Sequence, residues 1–302
     1  MKEGRMSLSM YEECRLCRRK CGVNRNNSLG YCRAETDMYV ARAALHFWEE
    51  PPISGSRGSG AIFFSGCSLK CVYCQNREIS RGRVGKEVAI EHLSEIMLRL
   101  QSEGAHNINL VTATHYIPSV ALAIDLAKEN GLNIPVVYNT ASYDSPEALR
   151  LLEGKVDIYL PDLKYFSGKT AKAFSDAEDY PEAAREAIAE MVRQVGESKF
   201  DGDGIMKKGV IVRILLLPGH TAEAMLSLKY LYETYGDSIY VSLMNQYTPP
   251  ENMKSPLNRT VTHEEYERLL DYAERLGIKN GFIQQFGTAK ESFIPPFDLS
   301  GV

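Results

Sequence analysis

The chain has 302 residues, of which 44% are hydrophobic and 25% are charged, and its formal net charge is −4. This composition is typical of a globular protein with a substantial core, and the weak negative charge gives no overall basic field for nucleic acid or an anionic membrane. The N-terminus is charged and lacks the apolar stretch of a secretory signal, and no apolar run approaches the roughly 20 residues that a spanning helix needs. We therefore expect a cytoplasmic protein that does not enter a membrane.

The first feature along the chain is a group of four cysteines with the spacing Cys-x2-Cys-x3-Cys-x10-Cys, namely Cys14, Cys17, Cys21 and Cys32. Four thiolates form a closed ligand set that suits either a structural zinc ion or an iron–sulfur cluster. The zinc-knuckle spacing of the first pair favours zinc, and an auxiliary cluster stays open as the alternative. Because so short a segment cannot bury a core of its own, we expect a metal to stabilise it. We predict that residues 1–55 form this metal-binding extension.

Basic residues surround these cysteines: Arg15, Arg18, Arg19, Lys20, Arg25 and Arg33. A basic metal-binding module can bind nucleic acid. Positive side chains also offset the negative charge of a thiolate site, and we favour this second interpretation. We therefore do not expect nucleic acid as a partner.

From about residue 56 the sequence alternates between strand and helix patterns. Apolar or β-branched runs predict strands at Ala61–Ser65, Ile108–Thr112, Pro135–Asn139, Val156–Leu160, Val210–Leu217, Ile239–Met244 and Phe282–Ile283. The clearest helix between them covers Val88–Leu100, whose apolar residues recur at helical spacing. Ser145 before Pro146 predicts the start of a second helix that runs to Leu152. Thr262 with Glu265 predicts a capping box that opens a last long helix, which Gly277 can end.

This alternation predicts a parallel sheet, either doubly wound or curled into a barrel. We assign residues 56–290 to this domain and residues 291–302 to a C-terminal tail. In a barrel, functional residues lie at the carboxyl ends of the strands and in the loops that follow.

Three further cysteines, Cys67, Cys71 and Cys74, follow the first of these strands in the run GCSLKCVYCQN. Three thiolates can hold three corners of a cubane iron–sulfur cluster, which leaves the fourth iron open to a small molecule. A zinc knuckle would need a fourth ligand nearby and a disulfide would need an oxidising compartment, so we favour the cluster over both. The two groups together account for all seven cysteines of the chain.

The triplet, with the aromatic Tyr73 before its last cysteine, resembles the motif of the radical S-adenosylmethionine (SAM) superfamily. The longer run SGSRGSGAIFFSGCSLKCVYCQNREIS resembles the branch that contains the pyruvate formate-lyase activating enzymes. The resemblance implies a partial (β/α)6 TIM-like barrel, open on one side. It also implies a 4Fe–4S cluster that binds SAM and cleaves it to a deoxyadenosyl radical, which abstracts hydrogen. The electron would come from a reduced flavodoxin or ferredoxin, and the substrate would be a glycine of a partner protein.

Strand two, in the barrel numbering, ends in VTATHYIP and departs from the Gly-Gly-Glu motif that many members use to bind the SAM amino group. Thr112, Thr114 and His115 are our candidates to replace it, because a hydroxyl or a neutral imidazole nitrogen accepts a hydrogen bond from an ammonium. A β-branched residue at this position can equally be a filler of the sheet, and a buried histidine can be structural.

Strand four ends in PDLK, which is similar to an Asp-Leu-Lys motif of the glycyl-radical activating enzymes, so we predict catalytic roles for Asp162 and Lys164. A local ion pair is the alternative interpretation. Tyr73 is expected to pack over the cluster and bring its backbone near the adenine. The other expected SAM-binding side chains are Asn139, Arg213, Asn245 and Gln246. The histidines that we assign to surface or structural roles are His46, His92, His106 and His263.

The main prediction is a radical SAM oxidoreductase of the activating-enzyme type. One alternative is a radical SAM enzyme that modifies RNA through the basic four-cysteine segment. Another is a metal-dependent binding or redox-relay protein that does not cleave SAM.

Overall fold

The computed structural model describes residues 8–82, 84–285 and 295–302. One large sheet forms its centre, with the strand order β10-β9-β8-β6-β5-β4-β2-β1-β3, and β7 pairs with β8 beside this path. The strands are β1 (Met38–His46), β2 (Ser59–Phe64), β3 (Lys86–Val88), β4 (Ile108–Val111), β5 (Val136–Thr140), β6 (Ile158–Pro161), β7 (Lys199–Phe200), β8 (Met206–Leu215), β9 (Tyr240–Met244) and β10 (Gly281–Ile283).

Seven strands of this sheet run parallel to one another: β2, β4, β5, β6, β8, β9 and β10. Each overlaps one of the seven apolar runs of the sequence, so the chain has one parallel strand more than the six of the expected barrel. Within the described ranges β3 and β10 are the two edges and do not pair with each other. This confirms the predicted α/β fold, a partial TIM-like barrel that is open on one side.

Helices lie in the connections between the strands: α1 (Pro51–Ser54), α2 (Arg77–Ser80), α3 (Ile90–Ser102), α4 (Ile117–Glu129), α5 (Pro146–Leu149), α6 (Gly168–Ser175), α7 (Tyr180–Val195), α8 (Thr221–Tyr235) and α9 (His263–Leu276). None of the described helices has the length and apolarity that crossing a membrane requires.

The predicted helix signals are present at α3, α5 and α9. The buried face of α3 contains Leu93, Ile96, Met97 and Leu100. The Ser145 side chain caps α5, which is shorter than predicted because a 3-10 turn over Arg150–Leu152 replaces its last turn. Thr262 and Glu265 form the capping box of α9, and Gly277 ends that helix in the left-handed conformation.

The first strand of the sheet lies inside the range that the sequence assigned to the extension. β1 pairs antiparallel with β2 and β3, so residues 38–46 belong to the main sheet. The C-terminal residues run beside the same strand, where the Ala43 N–H donates to the Ser300 carbonyl at 2.9 Å. The remainder of the predicted tail, residues 291–294, and residues 286–290 of the predicted barrel domain lie outside the described residues.

Residues 8–37, which we call the four-cysteine segment, have little regular structure and pack onto the barrel. Their buried side chains, including Tyr11, Cys14, Leu16 and Cys32, join the same apolar core as the parallel strands and their helices. The core therefore continues from the barrel into this segment.

Candidate active site

A cavity opens at the carboxyl ends of the parallel strands, and we call it the central cavity. Its walls come from the loop after β2, from the ends of β4, β5, β6, β8 and β9, and from the segment between β1 and α1. Ten of the side chains proposed from the sequence line it: Cys67, Cys71, Tyr73, Cys74, Thr112, Asn139, Asp162, Lys164, Arg213 and Gln246.

The cysteine loop, residues 65–76, brings its three thiols to one wall of the central cavity. Gly66 starts the turn with φ +93°, and a Cβ there would lie 2.8 Å from the Cys32 carbonyl oxygen, so the position requires glycine. The Leu69 N–H donates to Cys67 Sγ at 3.4 Å, and Ser175 Oγ donates to Cys71 Sγ at 3.0 Å. Three thiols on one cavity wall, two of them with a hydrogen-bond donor directed at the sulfur, are the ligand type that suits an iron–sulfur cluster with one open position.

Asp162 and Lys164 face the central cavity as a buried ion pair that continues to Arg213. Lys164 Nζ lies 2.6 Å from Asp162 Oδ2, and Arg213 Nε lies 2.8 Å from Asp162 Oδ1. Burial by itself would raise the pKa of Asp162, but the two cations outweigh it and hold that pKa below its ordinary value. The carboxylate is therefore ionised at neutral pH and fixes the position of both cations.

Glu49 completes this charged network, and the sequence analysis missed it. Arg213 Nη1 lies 3.3 Å from Glu49 Oε2, while Asn109 Nδ2 and Asn139 Nδ2 donate to Glu49 Oε1 at 2.9 and 3.2 Å. Burial raises the pKa of Glu49 although Arg213 acts against the shift. The residue was overlooked because the extension was predicted to reach residue 55. The available signal was a pair of adjacent carboxylates, Glu49 and Glu50, directly after an apolar strand pattern.

Three of the proposed side chains do not line the central cavity. Thr114 and His115 lie in a 3-10 turn, Thr114–Tyr116, that carries both of them into the core between β4 and α4. His115 Nε2 lies 2.7 Å from the Ser65 carbonyl oxygen, and burial lowers the pKa of His115 to about 3. Asn245 is also buried, and its backbone N–H donates to Gln284 Oε1 at 2.9 Å.

Of the three candidates from the end of strand two, Thr112 is the one that lines the cavity. Its φ is +61°, a left-handed conformation that costs a β-branched residue free energy. Such strain persists only where the surroundings over-determine the backbone, and it clusters at functional sites. Among the residues with predicted surface or structural roles, His46 also lines the central cavity.

Comparison with known proteins gives the family. The family model described as the Radical SAM superfamily matches residues 61–231, which is more than half of the chain. The chain belongs to the radical SAM superfamily. Membership implies a 4Fe–4S cluster and SAM as cofactors, and it supports an enzyme that cleaves SAM to a radical.

Individual relatives are more distant. An uncharacterized protein of Methanocaldococcus jannaschii is 28% identical over 280 residues, which cover 89% of this chain and 77% of that protein. The crystal structure of methylornithine synthase is 18% identical and has a TM-score of 0.50, covering 93% of this chain and 70% of that one. A domain of a pyruvate formate-lyase activating enzyme from Bacteroides vulgatus is 16% identical with a TM-score of 0.42, covering 56% of this chain and 92% of that one. The similarity to methylornithine synthase shows the shared radical SAM fold.

The four-cysteine segment contacts the radical SAM cysteine loop through the backbone of Cys32. Cys14, Cys17 and Cys32 are buried, and Cys21 is exposed. Burial raises the pKa of Cys17 to about 12, and the thiols of Cys32, Cys14 and Cys21 add to this shift. The chemistry of this donor set fits a thiolate centre. In the described parts of the chain, no group of three or more His, Cys, Asp or Glu side chains is arranged to hold a metal ion.

Arg25 lies fully buried beside these thiols. Its guanidinium donates to three backbone carbonyl groups, those of Ala34, Glu35 and His115. Within the described ranges Arg25 forms no ion pair with a carboxylate, while its charge acts to lower the pKa of Cys32 against the effect of burial. A buried cation needs a counter-charge, and the thiolates of this segment are the groups positioned to supply it.

The segment also contacts the radical SAM cysteine loop directly. The Cys67 N–H donates to the Cys32 carbonyl at 3.3 Å. Arg19 Nε donates to the Ser68 carbonyl at 3.1 Å and its Nη2 to the Ser175 carbonyl at 3.3 Å. The four-cysteine segment therefore supports the loop that carries the three cavity thiols.

Proposed function

We propose that this protein cleaves SAM reductively at the central cavity and uses the deoxyadenosyl radical to abstract hydrogen from a glycine of a partner protein. The observation that carries this proposal is the pair Asp162–Lys164, which faces the same cavity as the three thiols of the cysteine loop. When bound, the cluster and SAM supply the one-electron chemistry, and the protein supplies binding, orientation and exclusion of side reactions.

Different residues of the central cavity would bind the cluster, bind the ligand and order the cavity wall. Cys67, Cys71 and Cys74 would hold the cluster. Lys164 donates to Asp162 with one of its three N–H groups, so up to two remain for a carboxylate or carbonyl oxygen of a ligand. Arg213 directs its three nitrogens at Asp162, Glu49 and Asn139, and these hydrogen bonds order the cavity wall while two of its five N–H groups remain for a ligand.

We also propose a reduced flavodoxin or ferredoxin as the electron donor and the cytoplasm as the location of the protein. All seven cysteines are free thiols, which a reducing compartment maintains. Binding of RNA is not part of the proposal, because five of the six basic residues of the four-cysteine segment, all but Lys20, have partners within the protein. Arg18 pairs with Asp179 and Glu186, and Arg33 donates to a backbone carbonyl.

For the four-cysteine segment we propose a structural metal centre, zinc in the first place and an iron–sulfur cluster as the alternative. The buried charge of Arg25 supports an anionic thiolate centre here. Metal analysis of wild type and Cys14→Ala tests it. We expect wild type to contain a second metal that the variant loses while it keeps the iron of the cysteine loop. Zinc would identify a zinc site, and about twice the iron of one cluster would identify a second cluster. Wild type without a second metal would contradict the proposal.

Isotope transfer tests the protein-glycine substrate. Cells of the source organism are grown with α-deuterated glycine, and their extract is separated into protein and small-molecule fractions. Each fraction is incubated anaerobically with the reconstituted enzyme, SAM and dithionite, with Cys71→Ala as the control. We expect deuterium in the deoxyadenosine only with the protein fraction and the wild-type enzyme. Deuterium only from the small-molecule fraction would show that the substrate is a metabolite.

A further inference from the structure

Three buried hydroxyl groups form a row that ends on one sulfur of the cysteine loop. Ser175 Oγ, at the last residue of α6, lies 3.0 Å from Cys71 Sγ. The Tyr165 hydroxyl lies 2.6 Å from Ser175 Oγ, and the Tyr73 hydroxyl lies 2.6 Å from that of Tyr165. The exposed fractions of Ser175, Tyr165 and Tyr73 are 0%, 1% and 6%, so bulk water does not compete for these hydrogen bonds.

The direction of every proton in this row follows from the chemistry of its last member. A cysteine that ligates a cluster is a thiolate, which accepts hydrogen bonds and has no proton to donate. The single proton of Ser175 must therefore point at Cys71 Sγ. Tyr165 must then donate to Ser175, and Tyr73 must donate to Tyr165, because each hydroxyl has one proton. All three donors are thus aligned toward the sulfur.

We propose that this hydroxyl row stabilises negative charge on Cys71 and so raises the reduction potential of the cluster. This inference rests on the proposed function, because it assumes that Cys71 is a cluster ligand. Hydrogen bonds to the sulfurs are among the factors that set cluster potentials. A bond to a charged acceptor is stronger than a neutral one, and each hydroxyl in the row polarises the next. In the step concerned, the cluster gains one electron from the reduced donor protein, and no proton leaves the row.

Of the three cysteines in the loop, Cys71 has the shortest hydrogen bond to its sulfur. The donor to Cys67 is the Leu69 N–H at 3.4 Å, and the Ser80 hydroxyl lies 3.4 Å from Cys74, both longer than the contact to Cys71. Aromatic packing holds the row in place, since the rings of Tyr180 and Tyr247 contact Tyr165 and Tyr73 edge to face at centroid distances of 5.3 and 6.0 Å. Ser175, Tyr165 and Tyr73 are therefore positioning residues for the charge of the cluster.

The test is a redox titration of the reconstituted cluster without SAM, followed by the EPR signal of the reduced state at equal iron content. At the midpoint potential of wild type, we expect the ratio of reduced to oxidised cluster to be about tenfold lower in Ser175→Ala. For a one-electron couple this equals a midpoint potential that is lower by about 59 mV. Tyr165→Phe should give a smaller shift, Tyr73→Phe the smallest, and Ser175→Thr should restore the wild-type potential. Tyr266→Phe is the matched control, because its buried hydroxyl donates to the Leu243 carbonyl and makes no hydrogen bond to the row.

The outcomes separate this inference from the proposed function. If Ser175→Ala and Tyr165→Phe both have the reduction potential of the wild-type cluster, the inference is overturned and the proposed function still stands. Equal shifts in all variants, Tyr266→Phe included, would overturn it as well, since they would indicate a general loss of packing. A wild-type chain that binds no cluster would overturn both.

Discussion

Asp162 is the residue on which the charge of the central cavity depends. Its two oxygens hold Lys164 and Arg213, and the side chains of all three are at most 17% exposed. Among the described residues Glu49 is the other carboxylate within ion-pair distance of these cations, and it pairs with Arg213 and not with Lys164. Loss of the Asp162 charge would therefore remove the carboxylate that pairs with Lys164.

Asp162→Asn is expected to lower the free energy of unfolding by about 3–5 kcal/mol, the usual effect of removing one partner of a buried ion pair. It should also reduce deoxyadenosine formation, because Lys164 and Arg213 lose their common anchor. Urea unfolding and the SAM-cleavage assay measure the two effects. The control is Asp203→Asn, which makes the same change at an exposed position. Unchanged stability and activity in Asp162→Asn would show that the network is dispensable.

His115 makes the stability of the fold depend on pH. Its pKa is lowered from 6.5 to about 3, first by burial and then by the charge of Arg25. Between these values the unfolded chain binds a proton that the folded chain does not. The free energy of unfolding should therefore decrease as the pH falls below about 6.5, by up to about 1.4 kcal/mol per pH unit.

This dependence is measured by urea unfolding at several pH values between 4 and 7. His115→Gln should show a smaller decrease toward acid than wild type, because the glutamine does not titrate. His92→Gln, at an exposed position, is the matched control for the substitution itself. Parallel stability curves for wild type and His115→Gln would contradict the assignment.

At the scale of elements, the cysteine loop depends on the four-cysteine segment for its position. Gly66 lies against the Cys32 carbonyl, and Arg19 joins the loop to the end of α6 through the carbonyls of Ser68 and Ser175. The segment has too little apolar surface to fold alone, but it shares the core of the barrel. The two cysteine groups are therefore neighbours in one structure.

Arg19→Ala should loosen the cysteine loop and reduce its iron content after reconstitution several-fold. The free energy of unfolding should fall by about 2–4 kcal/mol, because hydrogen bonds from the charged guanidinium to three backbone carbonyls are lost. Iron analysis and urea unfolding measure these effects. Arg15→Ala is the control, because Arg15 is exposed and pairs with Glu13. Equal iron content in the two variants would show that the cysteine loop binds its iron without the Arg19 hydrogen bonds.

At the scale of the whole molecule, the alternation of strands and helices could be predicted from the sequence. Alternating apolar runs and helix caps indicated the parallel sheet, because hydrophobic periodicity follows from backbone geometry. Functional residues of a barrel lie at the carboxyl ends of its strands, and this rule predicted that Asp162, Lys164 and Asn139 line one site.

The same rule could not tell which neighbouring side chains face the cavity. Thr112 and His115 are three residues apart, yet Thr112 lines the cavity while the 3-10 turn Thr114–Tyr116 carries His115 into the core. Glu49 was missed because its place depends on β1, an antiparallel strand whose pairing is not local in sequence. Such long-range contacts are set by tertiary packing, which a single sequence does not display.

The most direct test of the account is the amount of deoxyadenosine formed under anaerobic conditions from SAM and dithionite by the reconstituted protein. Wild type and Cys71→Ala are compared, with iron and sulfide measured in both. We predict deoxyadenosine from wild type and none from Cys71→Ala, because the variant lacks one of the three thiols that line the central cavity. Wild type with a full cluster that forms no deoxyadenosine, or a variant that forms as much as wild type, would contradict it.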